Sequence, residues 1–386
     1  MSTRGSSSKR PTRWRVALVA VALLSLLLAP TARSHLRAAS LLARFADPLA
    51  TGVIADLARH DVRESFMMVR TATGQTRGRL YTPRDVDNPP GIVIVHGVHR
   101  LGIDEPRLVR FARTIAGTGI AVLTPEIEEL CDYRIDPLSV ETIGNAARLL
   151  DEQLHRKSVG VMGLSFAGGL SLIAAADPRF ASDVAFVVAV GAHDDLARVL
   201  RFFATDAIEN PDGTETKLQA HDYGPLVLVY SHVESFFPKE DVVLARDALR
   251  AWLWEDRETA HAEAKALSEA SRDEIEKLFA HDIRGIIPEL LAIIQGGENE
   301  MKLVSPRTFL GRVHVPIFLL HGAGDSVIPA TETLWLAHDA PGGMVEDALV
   351  SPALTHVELH GEPSLREKWA LVHFMSDVLA QAERER

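Results

Sequence analysis

Ser158-Val-Gly-Val-Met-Gly163-Leu-Ser165-Phe-Ala167-Gly168-Gly169 decides how the chain is read. Residues 158–164 are an apolar, β-branched run that reads as a buried strand, and an Ala/Gly-rich helix follows it to Ala176, where Asp177-Pro178 ends it. Gly163, Ser165 and Ala167 match G-x-S-x-G with alanine at the last place. A strand that turns abruptly into a helix needs small residues two before and two after the turn, and Ala167 meets that size demand. The serine between them is pushed into a strained, exposed position at a helix N-terminus, where developing negative charge is favoured. The spacing therefore marks Ser165 as a candidate nucleophile. A glycine-rich packing turn with an incidental serine is the plain alternative.

Strand and helix patterns alternate on both sides of this stretch. Residues 65–70 and 78–81 suggest a hairpin pair. Residues 91–97 and 119–124 read as buried strands, with helices at 106–117 and 139–154. Residues 184–190 form another strand pattern. This alternation predicts a mostly parallel sheet with helices on both faces, a doubly wound α/β architecture.

The alternation stops for residues 194–304, which are largely helical and polar, with 23 acidic and 12 basic residues. Within it, 241–254 carries an apolar stripe, Ser271 to Glu274 matches a capping box, and 226–230 is ambiguous between strand and helix. Alternation resumes with strands at 315–320 and 347–350 and helices at 331–337 and 365–382. The expected division is a core of 60–193 and 305–386 interrupted by a helical cap insertion over 194–304. A separate second domain is the alternative.

His96-Gly97-Val98 follows the first central strand. Backbone N–H groups there point toward the nucleophile, so Val98, together with Phe166 after the serine, is the expected oxyanion-hole pair. His96 itself reads as structural. His356 lies just beyond the last strand, at the sheet edge from which a general base reaches the serine, with His360 as the second choice.

These segments resemble the α/β-hydrolase superfamily, over about 60–193 and 305–380, on the strength of His96-Gly97, Gly163 to Gly169, His321 to Pro329 and the His356 segment. The resemblance implies chain order serine, acid, histidine. It places the acid at Asp325, in His321-Gly322-Ala-Gly324-Asp325-Ser-Val-Ile-Pro329, to orient His356. Asp194 and Asp195, after the strand at 184–190, offer a second place for the acid. The resemblance also implies a cap entering after that strand, no cofactor, and hydrolysis of a small-molecule acyl substrate, a carboxylic ester first. A thioesterase, peptidase or acyltransferase could use the same groups, and a non-catalytic, membrane-tethered interaction protein on this fold is the rival reading.

The formal charge of −11 argues against nucleic-acid binding, which needs a basic surface. The single cysteine, Cys131, excludes an intramolecular disulfide and a cysteine metal cluster. His193 beside Asp194 and Asp195 lacks the spaced partner that a metal site needs. Phe202, Phe203, Phe236, Phe237, Trp252 and Trp254 read mainly as core, with some available to line an acyl pocket. Residues 1–15 carry five basic residues and no acid, and 16–29 are apolar except Ser25. That pattern over 1–35 is the signature of an export signal or short membrane anchor, with Ala32-Arg33-Ser34 as a weak cleavage site. A buried helix is the alternative. With the basic flank inside, the body is expected outside the cytoplasm.

Overall fold

The computed structural model describes residues 31–47, 49–56, 59–356 and 363–384. Ten strands and sixteen α-helices, with three short 3-10 helices, follow one another in them. Helix α1 covers 31–46 and α2 Val53–Asp56. The hairpin is β1 (Val62–Arg70) and β2 (Gln75–Pro83), longer at both ends than the sequence pattern suggested. Then come β3 (Gly91–Val95), α3 (Pro106–Ala116), β4 (Ala121–Pro125), α4 (Glu128–Cys131), α5 (Leu138–Leu154), β5 (Val159–Leu164), α6 (Phe166–Ala176) and β6 (Val184–Val190).

The main sheet has eight strands in the order β1-β2-β4-β3-β5-β6-β9-β10, where β9 is Ile317–Gly322 and β10 is Val345–Ser351. β1 with β2 and β2 with β4 are antiparallel, and the other five pairings are parallel. Every residue of β3, β4, β6 and β9 is buried, as expected of strands covered on both faces. Side chains alternate between the faces. Val161, Val187 and Leu319 join a core with α5 and α6. Met162, Val188 and Phe318 join a second core with α3, α1 and the last helix, α16 (Leu365–Arg384).

Between β6 and β9 lie α7 (Leu196–Thr205), a two-stranded ribbon β7–β8 (Ala207–Glu209, Glu215–Lys217), α8 (Tyr223–Ser231), α9 (Val233–Phe236), α10 (Val242–Leu253), α11 (Arg257–Lys265), α12 (Glu269–Phe279), α13 (Ile287–Gly296) and α14 (Glu298–Lys302). The insertion is thus helical except for the ribbon. The ambiguous 226–230 run is helix, packed within the core that α7 and α10 share. The capping box expected at Ser271 is not the helix start. α12 begins three residues earlier, because Ser268 has the extended backbone of an N-cap (φ −55°, ψ 157°) while Ser271 is buried inside the helix. Helix α15 (Thr331–Asp339) follows β9.

The apolar run 16–29 lies outside the described residues. Among the described residues no helix is long and apolar enough to cross a membrane. The weak cleavage site lies in the first turn of α1, and α1 packs on the body. Ala38 and Leu41 are fully buried in the second core, and Arg37 donates to Thr118 O (2.6 and 3.1 Å) and pairs with Glu383 of α16.

Candidate active site

Ser165 sits at the turn from β5 into α6. Its backbone has φ 59° and ψ −137°, a left-handed value that costs a non-glycine residue roughly 1–3 kcal/mol and persists only where surroundings impose it. Gly163 shows what imposes it: a Cβ there would come within 2.2 Å of Ala167 O. Ala167 and Gly168 are both fully buried, so the turn closes on small groups as the spacing required.

His356, beyond β10, brings Nε2 to 2.8 Å from Ser165 Oγ, and its Nδ1 lies 2.6 Å from Asp325 Oδ2. Asp325 follows β9 and is almost fully buried. Its other oxygen, Oδ1, accepts from Val327 N (2.8 Å) and Ile328 N (2.9 Å), which fixes the carboxylate plane. Beneath it lies His321, also fully buried, whose Nε2 is 3.2 Å from Asp325 Oδ2 and 2.8 Å from Ile328 O. Two acceptors at one nitrogen put the proton on Nε2, and Nδ1 then accepts from Thr333 Oγ1 (2.7 Å). Burial alone would raise the Asp325 carboxyl, but hydrogen bonds from His321 and His356 outweigh it and hold it well below the usual carboxylate range. The acid therefore stays charged against the imidazole. Sequence reasoning missed His321. Its only signal is its place at the end of β9, four residues before Asp325.

The Gly97 backbone passes so close to the serine that a Cβ there would lie 3.1 Å from Ser165 Cβ. Among the described residues neither the Val98 nor the Phe166 amide has a hydrogen-bond acceptor within the protein. Both are free to donate to a substrate oxygen. His96 holds this loop: its Nε2 accepts from Ile127 N (3.0 Å), so Nδ1 carries the proton and donates to Gly97 O (2.7 Å). Burial pushes its pKa down to about 4, so it remains neutral.

A cleft of about 840 Å³ opens at Ser165. The insertion forms one side of it, including Trp252, which stacks on Phe279 at 4.0 Å. The bonds that seat the insertion over the core include His221 N to Ser326 O (2.7 Å), Tyr133 OH to Leu253 O (2.7 Å), and Tyr230 OH to Asp132 (2.7 Å). Phe202 and Phe203, by contrast, are buried in the core.

The alternative acids are engaged elsewhere. Asp194 pairs with Arg198 (2.9 Å), and Asp195 caps α7 through Ala197 N (2.9 Å) and meets Arg307 (3.0 Å). His193 Nε2 bonds Val304 O at 2.8 Å. Among the described residues no three His, Cys, Asp or Glu side chains are grouped to hold a metal ion. Cys131 is half-buried, and burial pushes its thiol up to about 12, so it stays a neutral thiol. His360 lies outside the described residues.

No protein-family model matches the chain, and no curated protein matches it. Solved structures do align with it. Pyrococcus horikoshii acylaminoacyl peptidase matches 82% of this chain and 40% of its own, at 12% identity and a TM-score of 0.43. A hyperthermophilic esterase from Pyrobaculum calidifontis matches 86% of this chain and 87% of its own, at 15% identity and a TM-score of 0.45. A puromycin hydrolase matches 84% of this chain and 39% of its own, at 16% identity and a TM-score of 0.47. The chain thus spans about two fifths of the length of the peptidase and of the puromycin hydrolase. The strand order itself, an antiparallel hairpin beside a parallel run that doubles back at β3, with the serine turn on the next strand, is that of the α/β-hydrolase fold.

Proposed function

We propose that the protein is a serine hydrolase that cleaves carboxylic esters through an acyl-enzyme. The observation that carries this is the continuous chain Ser165 Oγ to His356 Nε2 (2.8 Å) and His356 Nδ1 to Asp325 Oδ2 (2.6 Å), ending on a serine held in a strained turn. In this reading Ser165 Oγ bonds to the ester carbonyl carbon while His356 Nε2 takes the serine proton. The carbonyl oxygen becomes an oxyanion that accepts from the Val98 and Phe166 amides. His356 then gives its proton to the departing alkoxide, and the alcohol leaves. Water adds to the acyl-enzyme, losing its proton to His356, and collapse releases the carboxylic acid and restores Ser165. Asp325 keeps the imidazole in the tautomer whose Nε2 accepts and stabilises its charged form.

The test is hydrolysis of matched ester, thioester and anilide substrates by the intact protein and by Ser165→Ala. The reading expects the ester to be cleaved fastest and the variant to lose the activity. Equal rates in the two proteins would overturn it, and a preference for thioester or anilide would move the assignment to a thioesterase or peptidase.

The basic residues of 1–15 and the apolar run 16–29 support an exported or membrane-attached enzyme whose body lies outside the cytoplasm. The mass of the protein recovered from the membrane fraction reads whether that segment is retained. Recovery of the full-length chain in the cytosol alone would contradict the placement.

A further inference from the structure

The cleft at Ser165 draws its lining from both cores. The insertion side is mixed: Asp222, Glu255, Arg257 and His281 stand beside the apolar Leu226 and Trp252. The opposite side includes Leu42 and Phe45 of α1, Phe111 of α3, Met162 of β5, and Leu371 and Met375 of α16, with the charged Glu105, Arg107 and Arg110 among them. The first six form an apolar strip between these charges. Two of them come from α1, which precedes the hydrolase-like core in the sequence.

α1 is a fixed wall. Arg37 ties it to the Thr118 carbonyl and to Glu383, Ser40 Oγ donates to Ala55 O (2.9 Å), and Ala38 and Leu41 are fully buried. Phe45 is itself held from two sides. Its ring meets Phe111 edge-on at 5.1 Å, and the Arg110 guanidinium lies 5.5 Å from its centroid. At about 840 Å³ the cleft is near the top of the range of roughly 300–1,000 Å³ typical of small-molecule sites, well beyond the needs of an acetyl group.

We propose that α1 is part of the active site: the substrate is an ester with an apolar acyl chain, and that chain lies against Leu42 and Phe45. This rests on the serine-hydrolase reading. Each methylene buried against the wall raises kcat/KM about fourfold while the wall lasts.

The test measures kcat/KM for p-nitrophenyl acetate, octanoate and dodecanoate with the full chain, Leu42→Trp and Phe45→Ala. Each variant is first checked for covalent labelling of Ser165 by a fluorophosphonate, which reads a folded site without reading chain length. The unaltered protein is expected to prefer octanoate to acetate at least tenfold. Leu42→Trp, which fills the wall, lowers that ratio at least tenfold, and Phe45→Ala, which removes the aromatic part of the α1 contact, lowers it at least fivefold. Should Leu42→Trp fail to label, Phe45→Ala decides alone. Labelled variants whose ratios stay within twofold of the unaltered protein overturn the α1 wall while leaving the serine reading intact. An unaltered protein that does not label overturns the serine reading and this proposal with it.

Discussion

In the proposed mechanism His96 governs the oxyanion side of the site through one peptide plane. The Gly97 carbonyl and the Val98 N–H belong to the same trans peptide and so point in opposite directions. By donating to Gly97 O at 2.7 Å, His96 sets where the Val98 N–H points, and Ile127 N–H fixes the tautomer that allows this. Removing one oxyanion donor outright costs roughly 10²–10³ in kcat. Freeing the donor to wander costs less, and His96→Ala is expected to lower kcat about tenfold to a hundredfold, with KM moved little. Steady-state kinetics on an ester substrate checks it, and an unchanged kcat contradicts the role. Asp325→Asn is expected to lower kcat by about 10⁴, because the amide leaves His356 in the wrong tautomer; a loss under tenfold would place the orienting acid elsewhere. Ser165, Asp325 and His356 were legible in the sequence because each lies in a short turn after an apolar strand, and strand order carries such turns to one sheet edge. His321 was not legible, because nothing local states that its ring tucks under Asp325. His96 was read as structural, yet its hydrogen bond aims the Val98 amide.

At the scale of elements, the insertion is fastened by a buried charge cluster at its first helix. Arg198 reaches Glu332 of α15 at 2.6 Å and Asp194 at 2.9 Å, and Glu332 in turn accepts from the Asp194 and Asp195 amides (2.8 and 3.0 Å). The guanidinium also lies 4.4 Å from the Trp335 ring centroid. Deleting the cation leaves the buried Glu332 and Asp194 carboxyls without their counter-charge, with only backbone amides still bonded to Glu332. Arg198→Ala is therefore expected to destabilise the protein by about 3–5 kcal/mol, read as a lowered midpoint in urea; a change under about 1 kcal/mol would mean that the cluster contributes little. The sequence showed where the strand pattern stops and resumes, and hence that something is inserted. It did not show what fastens the insertion, since Arg198 and Glu332 are 134 residues apart. Nor did it show that 31–46 is a docked helix, because a basic and apolar run just ahead of it dominates the local pattern. Ser271 misled for a different reason: a serine three residues before a glutamate fits a helix start, but the extended backbone that opens the helix lies one turn earlier, at Ser268, whose hydroxyl bonds Asp241.

At the scale of the molecule, acid stability should carry the mark of His96. Its pKa is about 4 folded against about 6.5 for a free imidazole, so on acidification the unfolded chain takes up the proton first. The His96 contribution is therefore full above about pH 6.5 and is lost as pH falls to about 4, with no further loss below. Asp194 acts in the opposite sense, because burial and the Glu332 charge push it up to about 7, so its contribution weakens as pH rises from about 4 to 7. Comparing unfolding free energies of the unaltered protein and His96→Gln across pH 4–7 removes the Asp194 effect. The difference is expected to shrink toward acid, and a constant difference contradicts the assignment. The charge of −11 also has a location, since residues 194–304 alone sum to that figure and they form one side of the cleft.

All of these expectations depend on Ser165 being a nucleophile activated by His356. Covalent labelling of the purified protein by a fluorophosphonate, with the modified residue located by mass spectrometry, tests that most directly. The account predicts one label per chain, on Ser165, absent in Ser165→Ala and strongly slowed in His356→Ala. A protein that takes no label, or one that labels equally with Ser165 removed, would contradict it.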